Sequence, residues 1–215
     1  MDSRRAMAGS NVWTRGVFLA PFLAAFLAPA HPAAADERLC QVAEVVPTAT
    51  VSHGGSLGNA TVGAALSASD LVRTGPSGRV EVACSDGTHV TVGPDTEINL
   101  GSLIGEQGED ASIGMSLHRG IARFLAPVRT WGTFNVFGPV AVASVRSTEW
   151  IMLTPEAGTS VFVRQGIVEV QSKRGTAVRL SPTYGVDVAP DGTMAPAKKW
   201  CAKRVADALA RLGLQ

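Results

Sequence analysis

The segment GGSLG, at residues 54–58, matches the G-x-S-x-G pattern of a catalytic nucleophile elbow. That motif works when a sharp strand-to-helix turn raises the serine above a parallel sheet. The residues that follow, NATVGAAL, have no helical pattern, and no alternation of strands and helices surrounds them. We therefore expect Ser56 to lie in a flexible glycine loop and not to act as a nucleophile.

Residues that could bind a metal are dispersed along the chain. His53, His89 and His118 lack the H-x-x-x-H and C-x-x-C spacings of common metal sites. The loop acids do not follow the spacing of a calcium loop, and no glycine-rich phosphate loop is found. The sequence predicts a non-enzymatic protein with no catalytic residue, no metal and no cofactor.

The first 35 residues have the order of a secretory signal peptide. A basic head with Arg4, Arg5 and Arg15 precedes the apolar stretch GVFLAPFLAAFLAPA, and AAA at residues 33–35 suits a signal peptidase. Cleavage after residue 35 would remove these arginines and Asp2, which changes the formal net charge from +1 to −1. We expect a periplasmic or secreted protein with no stable membrane span after cleavage. It would lack the basic field that attracts nucleic acid.

Three cysteines in an exported chain leave one unpaired. A Cys40–Cys201 disulfide would join the two ends of the mature chain and is the pairing we expect. Cys40–Cys84 and Cys84–Cys201 remain as alternatives.

Residues 42–188 consist of short apolar or alternating runs separated by turn sequences. This even spacing predicts an all-β fold, a mainly antiparallel β-sandwich or coiled β-stack, with one short C-terminal α-helix. The helix is indicated by the apolar spacing of Cys201, Val205, Leu209 and Leu212, and we expect it to dock on the sheet. A partner-binding or membrane-surface helix is the alternative. The predicted organisation is a signal peptide (1–35), an N-terminal strand and glycine loop (36–61), a β domain (62–190) and an amphipathic helix (197–213).

The segment EVACSDGTHVTV, at residues 81–92, predicts a hairpin around Asp86 and Gly87. A three-residue loop with a left-handed Gly87 pairs Val80 with Val92 and Val82 with Val90 on one face. The same register directs His89 outward and Cys84 inward, as a buried free thiol.

Three blocks of this sequence resemble the FecR domain, in the order that this family has them. They are VGAALSASDLVRTGPSGRVEVACSDGTHVTVGPDTEINL (Val62–Leu100), TFNVFGPVAVASVRSTEWIML (Thr133–Leu153) and GTSVFVRQGIVEVQ (Gly158–Gln171). The family motif also has an arginine at the position of Arg146. The chain departs from the family pattern at Ser147, where a glycine is usual, and at Trp150, where phenylalanine is usual.

The resemblance implies an extracytoplasmic β domain of the kind found in transmembrane regulators that relay a receptor's signal to a sigma factor. About 15 residues precede the apolar segment here, too few for a sigma-factor-binding domain, and one helix follows the β domain. We therefore expect the extracytoplasmic module without the sigma-regulator relay parts.

The candidate recognition surface comprises Arg146, Glu149, Trp150 and Trp131, because arginine and tryptophan suit protein or sugar recognition. Internal pairing of Arg146 with Glu149 is an alternative role. The function we predict is a protein-interaction or sensing module in envelope signalling or secretion, which binds an envelope protein. The alternative is a cell-wall or exopolysaccharide-binding protein that stacks sugars on Trp131, Trp150 and Trp200.

Overall fold

The computed structural model describes residues 40–104, 112–127 and 132–215. Fifteen strands, one short 3-10 helix (Pro155–Ala157) and one α-helix are found there. The strands are β1 (Cys40–Val46), β2 (Ala49–His53), β3 (Ser56–Asn59), β4 (Ala65–Leu66), β5 (Leu71–Thr74), β6 (Arg79–Cys84), β7 (His89–Val92), β8 (Glu97–Ile104), β9 (Ser112–Ala126), β10 (Thr133–Phe137), β11 (Ala141–Thr154), β12 (Thr159–Ser172), β13 (Ala177–Leu180), β14 (Tyr184–Val188) and β15 (Lys198–Lys199), and the helix is α1 (Ala202–Arg211).

The strands form two layers because the three longest strands, β9, β11 and β12, change neighbours along their length. In the first layer the order is β4-β1-β6-β7-β9-β11-β12-β14-β15, through residues 120–126, 148–154 and 159–163 of the long strands. In the second layer the order is β3-β2-β5-β8-β9-β10-β11-β12-β13. Among the pairings of the described strands, β9–β10 is the only parallel one. The predicted fold class is therefore confirmed.

One hydrophobic cluster fills the space between the two layers. Alternate residues of the first-layer strands point into it, including Val82 and Val90, and so do Phe134 and Val136 of the second layer. Because the strands are pleated, the residues between these positions face outward on each layer. The buried Thr96 hydroxyl accepts a hydrogen bond from the Ile121 amide (2.9 Å), close to the point where β9 passes between layers.

The predicted hairpin register is confirmed. Val80 pairs with Val92, Val82 with Val90 and Ala83 with His89. His89 is half-exposed, and its imidazole lies 3.6 Å from the Glu81 carboxylate on the same outer face. Turn chemistry and side-chain alternation are local properties of these residues, which is why the sequence was enough to place them.

The predicted Cys40–Cys201 disulfide is wrong. Cys40 is bonded to Cys84, its direct partner in the β1–β6 pairing, and Cys201 is free and exposed just before α1. Cys84 does point inward, since it is partly buried against the core, but it is not a free thiol. Pairing of β1 with β6 brings the two cysteines together, and that contact spans 44 residues of sequence.

The region before the β domain holds three strands, β1 to β3, and Ser56 begins β3 after the Gly54–Gly55 turn. The C-terminal helix begins at residue 202, five residues later than predicted, because Lys198 and Lys199 pair with β14 instead. None of the helices among residues 40–104, 112–127 and 132–215 is long and apolar enough to span a membrane. The predicted domain limits and the signal peptide stay predictions, and residues 1–35 lie outside the described part of the chain.

The helix covers the outer face of the first layer. Leu209 and Leu212 of the helix segment pack on Ile121, Ile151 and Phe162, which lie on β9, β11 and β12. This docking confirms the expectation that the C-terminal helix packs against the sheet.

A polar contact at the start of the helix supports the same docking. Arg204 lies over the Trp200 ring, 3.6 Å from its centroid, and donates to the Asp187 carboxylate (2.9 Å from Nη1 to Oδ2). The Ser160 hydroxyl donates to the same carboxylate at 2.7 Å. The hydrogen bond from Arg204, followed by that from Ser160, holds the pKa of Asp187 below its usual range.

We expect Cys40→Ser and Cys84→Ser to destabilise the oxidised protein equally, by about 4 kcal/mol on the chain-entropy estimate for a loop of this length. Cys201→Ser is the matched control and should leave the free energy of unfolding unchanged. Urea unfolding of the three variants measures this. A large loss in Cys201→Ser would instead support the terminal disulfide.

We expect Asp187→Asn to lower the melting temperature near neutral pH, and this loss should become smaller as the pH is lowered from about 7 to about 2. The pKa of Asp187 is lower in the folded chain than in the unfolded one. The stabilisation is therefore present above the unfolded-state pKa and is lost as pH falls through the folded-state pKa. Thermal unfolding of both proteins across this range measures it. A difference that does not change with pH would contradict the assignment.

Candidate functional site

A β-bulge interrupts β11 where this strand passes from the second layer to the first. Val145 pairs with Val168, and the next paired residue is Thr148, opposite Gly166. Arg146 and Ser147 thus face the single residue Ile167 of β12. One extra residue on a strand bends it and redirects its side chains.

Gly166 and Thr148 hold the bulge in place. Gly166 has a φ of 84°, and a Cβ atom there would lie 2.4 Å from the Ser147 carbonyl oxygen. Glycine is therefore required by both its conformation and the close approach of β11. The Thr148 hydroxyl donates a hydrogen bond to the Ile167 carbonyl oxygen at 3.1 Å. This bond joins β11 to β12 at the place where the bulge interrupts their backbone pairing.

An open groove of about 610 Å³ lies beside the bulge. Residues from four neighbouring strands of the second layer line it. They are Thr133 of β10, Ser144 to Ser147 of β11, Gly166, Ile167 and Glu169 of β12, and Arg179 of β13. The outer face of the first layer is covered by α1, whereas Arg146 and Ile167 are exposed on this side.

Among the charged residues that line the groove in the described part of the chain, Arg146 is the one without a counter-charge. Glu169 accepts a hydrogen bond from Arg179 at 3.0 Å, and Ser144 donates to Asn135 at 2.6 Å. Within residues 40–104, 112–127 and 132–215, the Arg146 side chain makes no ion pair or hydrogen bond. The groove thus presents a free guanidinium next to the side chain of Ile167, which is 60% exposed.

Glu149 is engaged inside the protein and does not pair with Arg146. Its Oε1 atom accepts hydrogen bonds from Arg123 and from Arg164, each at 2.8 Å. The side chains of Glu149 and Arg123 are only 15% and 17% exposed. The pair joins β9 to β11 in the first layer, a structural role that the sequence did not reveal.

Trp150 does not belong to a surface, so this part of the predicted recognition site is wrong. It is fully buried and stacks on Phe124 with ring centroids 5.0 Å apart, while Phe134 meets it edge-on at 5.5 Å. Without the bulge, Arg146 and Trp150 would face the same way, since they are four residues apart in one strand. The extra residue reverses the alternation, which directs Trp150 inward.

The other tryptophans proposed for stacking do not form an exposed platform in the described structure. Trp200 is 7% exposed and stacks on Phe162 beneath α1. Trp131 lies outside the described residues. Of the predicted recognition residues, the structure therefore leaves Arg146 exposed and in a groove.

His53 and Asp70 form a pair that resembles part of a catalytic triad. The Nδ1 atom of His53 lies 2.7 Å from the buried Asp70 carboxylate, and the Ser67 hydroxyl lies 3.5 Å from the same nitrogen. A triad serine must contact the other ring nitrogen, Nε2. The described residues place no hydroxyl there, and the hydroxyl of Ser56, the motif serine, makes no hydrogen bond to the His53 ring although the two residues are partners in the β2–β3 pairing. The His53–Asp70 pair connects the β2–β3 hairpin to the turn at residues 67–70.

Within the described ranges, no three His, Cys, Asp or Glu side chains are grouped so as to hold a metal ion. Sequence reasoning found Arg146 through the family motif but missed the other residues of the groove. Ile167, Glu169 and Arg179 become its neighbours only through the β11–β12 and β12–β13 pairings. The glycine at position 166 was the local signal for a bulge, since a glycine within a strand often marks one.

The part of the chain that forms most of this groove matches a known family model. Residues 70–169 match the family model described as FecR protein, which confirms the predicted resemblance. No curated protein matches the chain. Two crystal structures of a "putative anti-sigma factor" from Parabacteroides distasonis ATCC 8503, at 1.65 Å and 2.50 Å resolution, match with a TM-score of 0.52 and 21% sequence identity.

Each of these matches covers 63% of the present chain and 62% of the Parabacteroides chain. The present chain thus spans less than two thirds of that protein's length. At this level of identity the likeness shows a shared fold.

We expect Glu149→Gln to destabilise the protein by about 1–3 kcal/mol, because it weakens two hydrogen bonds to charged groups and leaves Arg123 largely buried without a counter-charge. Glu169→Gln is the matched control, since it breaks an exposed Glu–Arg pair and should cost no more than about 0.5 kcal/mol. Urea unfolding of both variants provides the comparison. Equal losses would show that Glu149 has no special structural role.

Proposed function

Because the chain carries a FecR domain at residues 70–169, we propose that it is a non-enzymatic signalling or regulatory module that binds a protein partner. The partner belongs to an envelope signalling or secretion system. The protein acts in the periplasm or outside the cell after removal of residues 1–35. The observation that carries the proposal is the groove beside Arg146, which lies almost entirely within the FecR domain.

The asymmetry of the two layers supports binding at this side of the molecule. The chain covers the outer face of the first layer with its own helix, whereas Ile167 and Arg146 stay exposed on the second. An exposed apolar side chain beside a free arginine is typical of a protein-recognition surface. The crystal structures with a similar fold are described as those of a "putative anti-sigma factor", and a regulatory protein of that kind would bind another protein, which agrees with the proposal.

The alternative function, binding of cell-wall or exported polysaccharide, has less support. It depends on tryptophans as stacking surfaces, and Trp150 and Trp200 are both buried. Trp131 is the candidate that the described residues do not include. The groove itself lacks an exposed aromatic ring among its described residues.

We expect the full-length, C-terminally tagged chain, expressed in its own host and cross-linked in the intact cell, to capture an envelope protein through the groove. Arg146→Glu should abolish the cross-linked product because it reverses the free charge. Arg211→Glu, which changes an exposed arginine on α1, is the matched control and should retain the product. Quantitative mass spectrometry of the purified adducts measures both. Equal capture by the two variants would contradict binding at this groove.

A further inference from the structure

We infer that the groove beside the β11 bulge binds an acidic segment of the protein partner, with Arg146 receiving an aspartate or glutamate carboxylate. The inference rests on the proposed function and names the chemistry of the partner. Its first support is the charge balance. Glu169 is neutralised by Arg179 and Glu149 by Arg123 and Arg164, so Arg146 keeps a full positive charge.

A partner that covers the groove must compensate this charge. A guanidinium removed from water without a counter-ion is costly, so an apolar or basic segment would be rejected. A carboxylate instead forms charge-assisted hydrogen bonds with the planar guanidinium, whose geometry suits a two-point contact. The uncompensated charge of Arg146 therefore favours an acidic partner segment and disfavours apolar and basic segments.

The surroundings of Arg146 specify more than a charge. The groove also contains the hydroxyls of Thr133 and Ser147, which are suited to donate to a carboxylate oxygen. Ile167 faces Arg146 and Ser147 across the bulge and is 60% exposed. An aliphatic side chain near the acid would bury this surface. We therefore expect the segment to combine Asp or Glu with a neighbouring Val, Ile or Leu.

Two blocked peptides test the inference directly. The first is acetyl-Gly-Ser-Val-Glu-Val-Ser-Gly-amide, and the second has Gln in place of Glu. In heteronuclear NMR titrations of the ¹⁵N-labelled protein as isolated from its host, the Glu peptide should shift the amide signals of Arg146, Ser147 and Ile167. It should bind about tenfold more tightly than the Gln peptide, as expected for one hydrogen bond to a charged group.

Arg146→Gln should remove the preference for the Glu peptide, and Arg211→Gln should keep it. The spectrum of each variant shows whether it is folded. Equal binding of the two peptides to the unmodified protein, or shifts away from the groove, would overturn the inference. A galacturonate oligomer serves as the glycan probe, and Arg146-dependent binding of that oligomer in place of the Glu peptide would also overturn it.

The cross-linking result separates the two proposals. If cross-linking in the cell depends on Arg146 but the Glu peptide has no advantage, the acidic segment is wrong and the proposed function stands. If the Glu peptide binds through Arg146 but no envelope protein is captured, the groove chemistry is right and the proposed function fails. Failure of both experiments overturns both.

Discussion

The architecture depends on the passage of three long strands between two layers. β11 and β12 pair with each other almost throughout, so a change of layer in one must be matched in the other. The bulge at Arg146 and Ser147 allows β11 to bend from one layer to the other. Gly166 allows β12 to bend with it, because a side chain at this position would clash with the β11 backbone. Directly after the turn, Trp150 enters the core between Phe124 and Phe134 and secures the first-layer half of β11.

This turn also creates the groove. An extra residue in β11 reverses which side chains point inward, so that Trp150 is buried while Arg146 remains in solvent. Opposite the extra residue, Ile167 is left exposed on β12. The helix α1 closes the outer face of the other layer through Leu209 and Leu212. The residues that let the strands change layer thus also line the groove that we propose as a recognition surface.

The sequence predicted those features that depend on nearby residues. The β6–β7 register followed from the turn at Asp86 and Gly87, and the helix face followed from the spacing of Leu209 and Leu212. The FecR resemblance combined several such local patterns and singled out Arg146.

Features that depend on distant pairings were not predictable in this way. Cys40 bonds to Cys84 because β1 lies beside β6, and no local pattern reveals that neighbour. Trp150 was predicted to be exposed from its residue type, whereas the bulge that directs it into the core is visible only in the β11–β12 pairing. The partners of Glu149 come from β9 and β12, so the sequence around position 149 could not show them.

Site-specific photo-cross-linking is the most direct test of whether a protein partner contacts the groove at the bulge. A benzophenone amino acid at position 167, in the groove, is compared with one at position 57 on β3, at the far edge of the same layer. The two native side chains, Ile167 and Leu57, are 60% and 63% exposed, so accessibility is matched. We predict a partner adduct from position 167 and none from position 57. An adduct from position 57 alone would contradict binding of the partner at the groove.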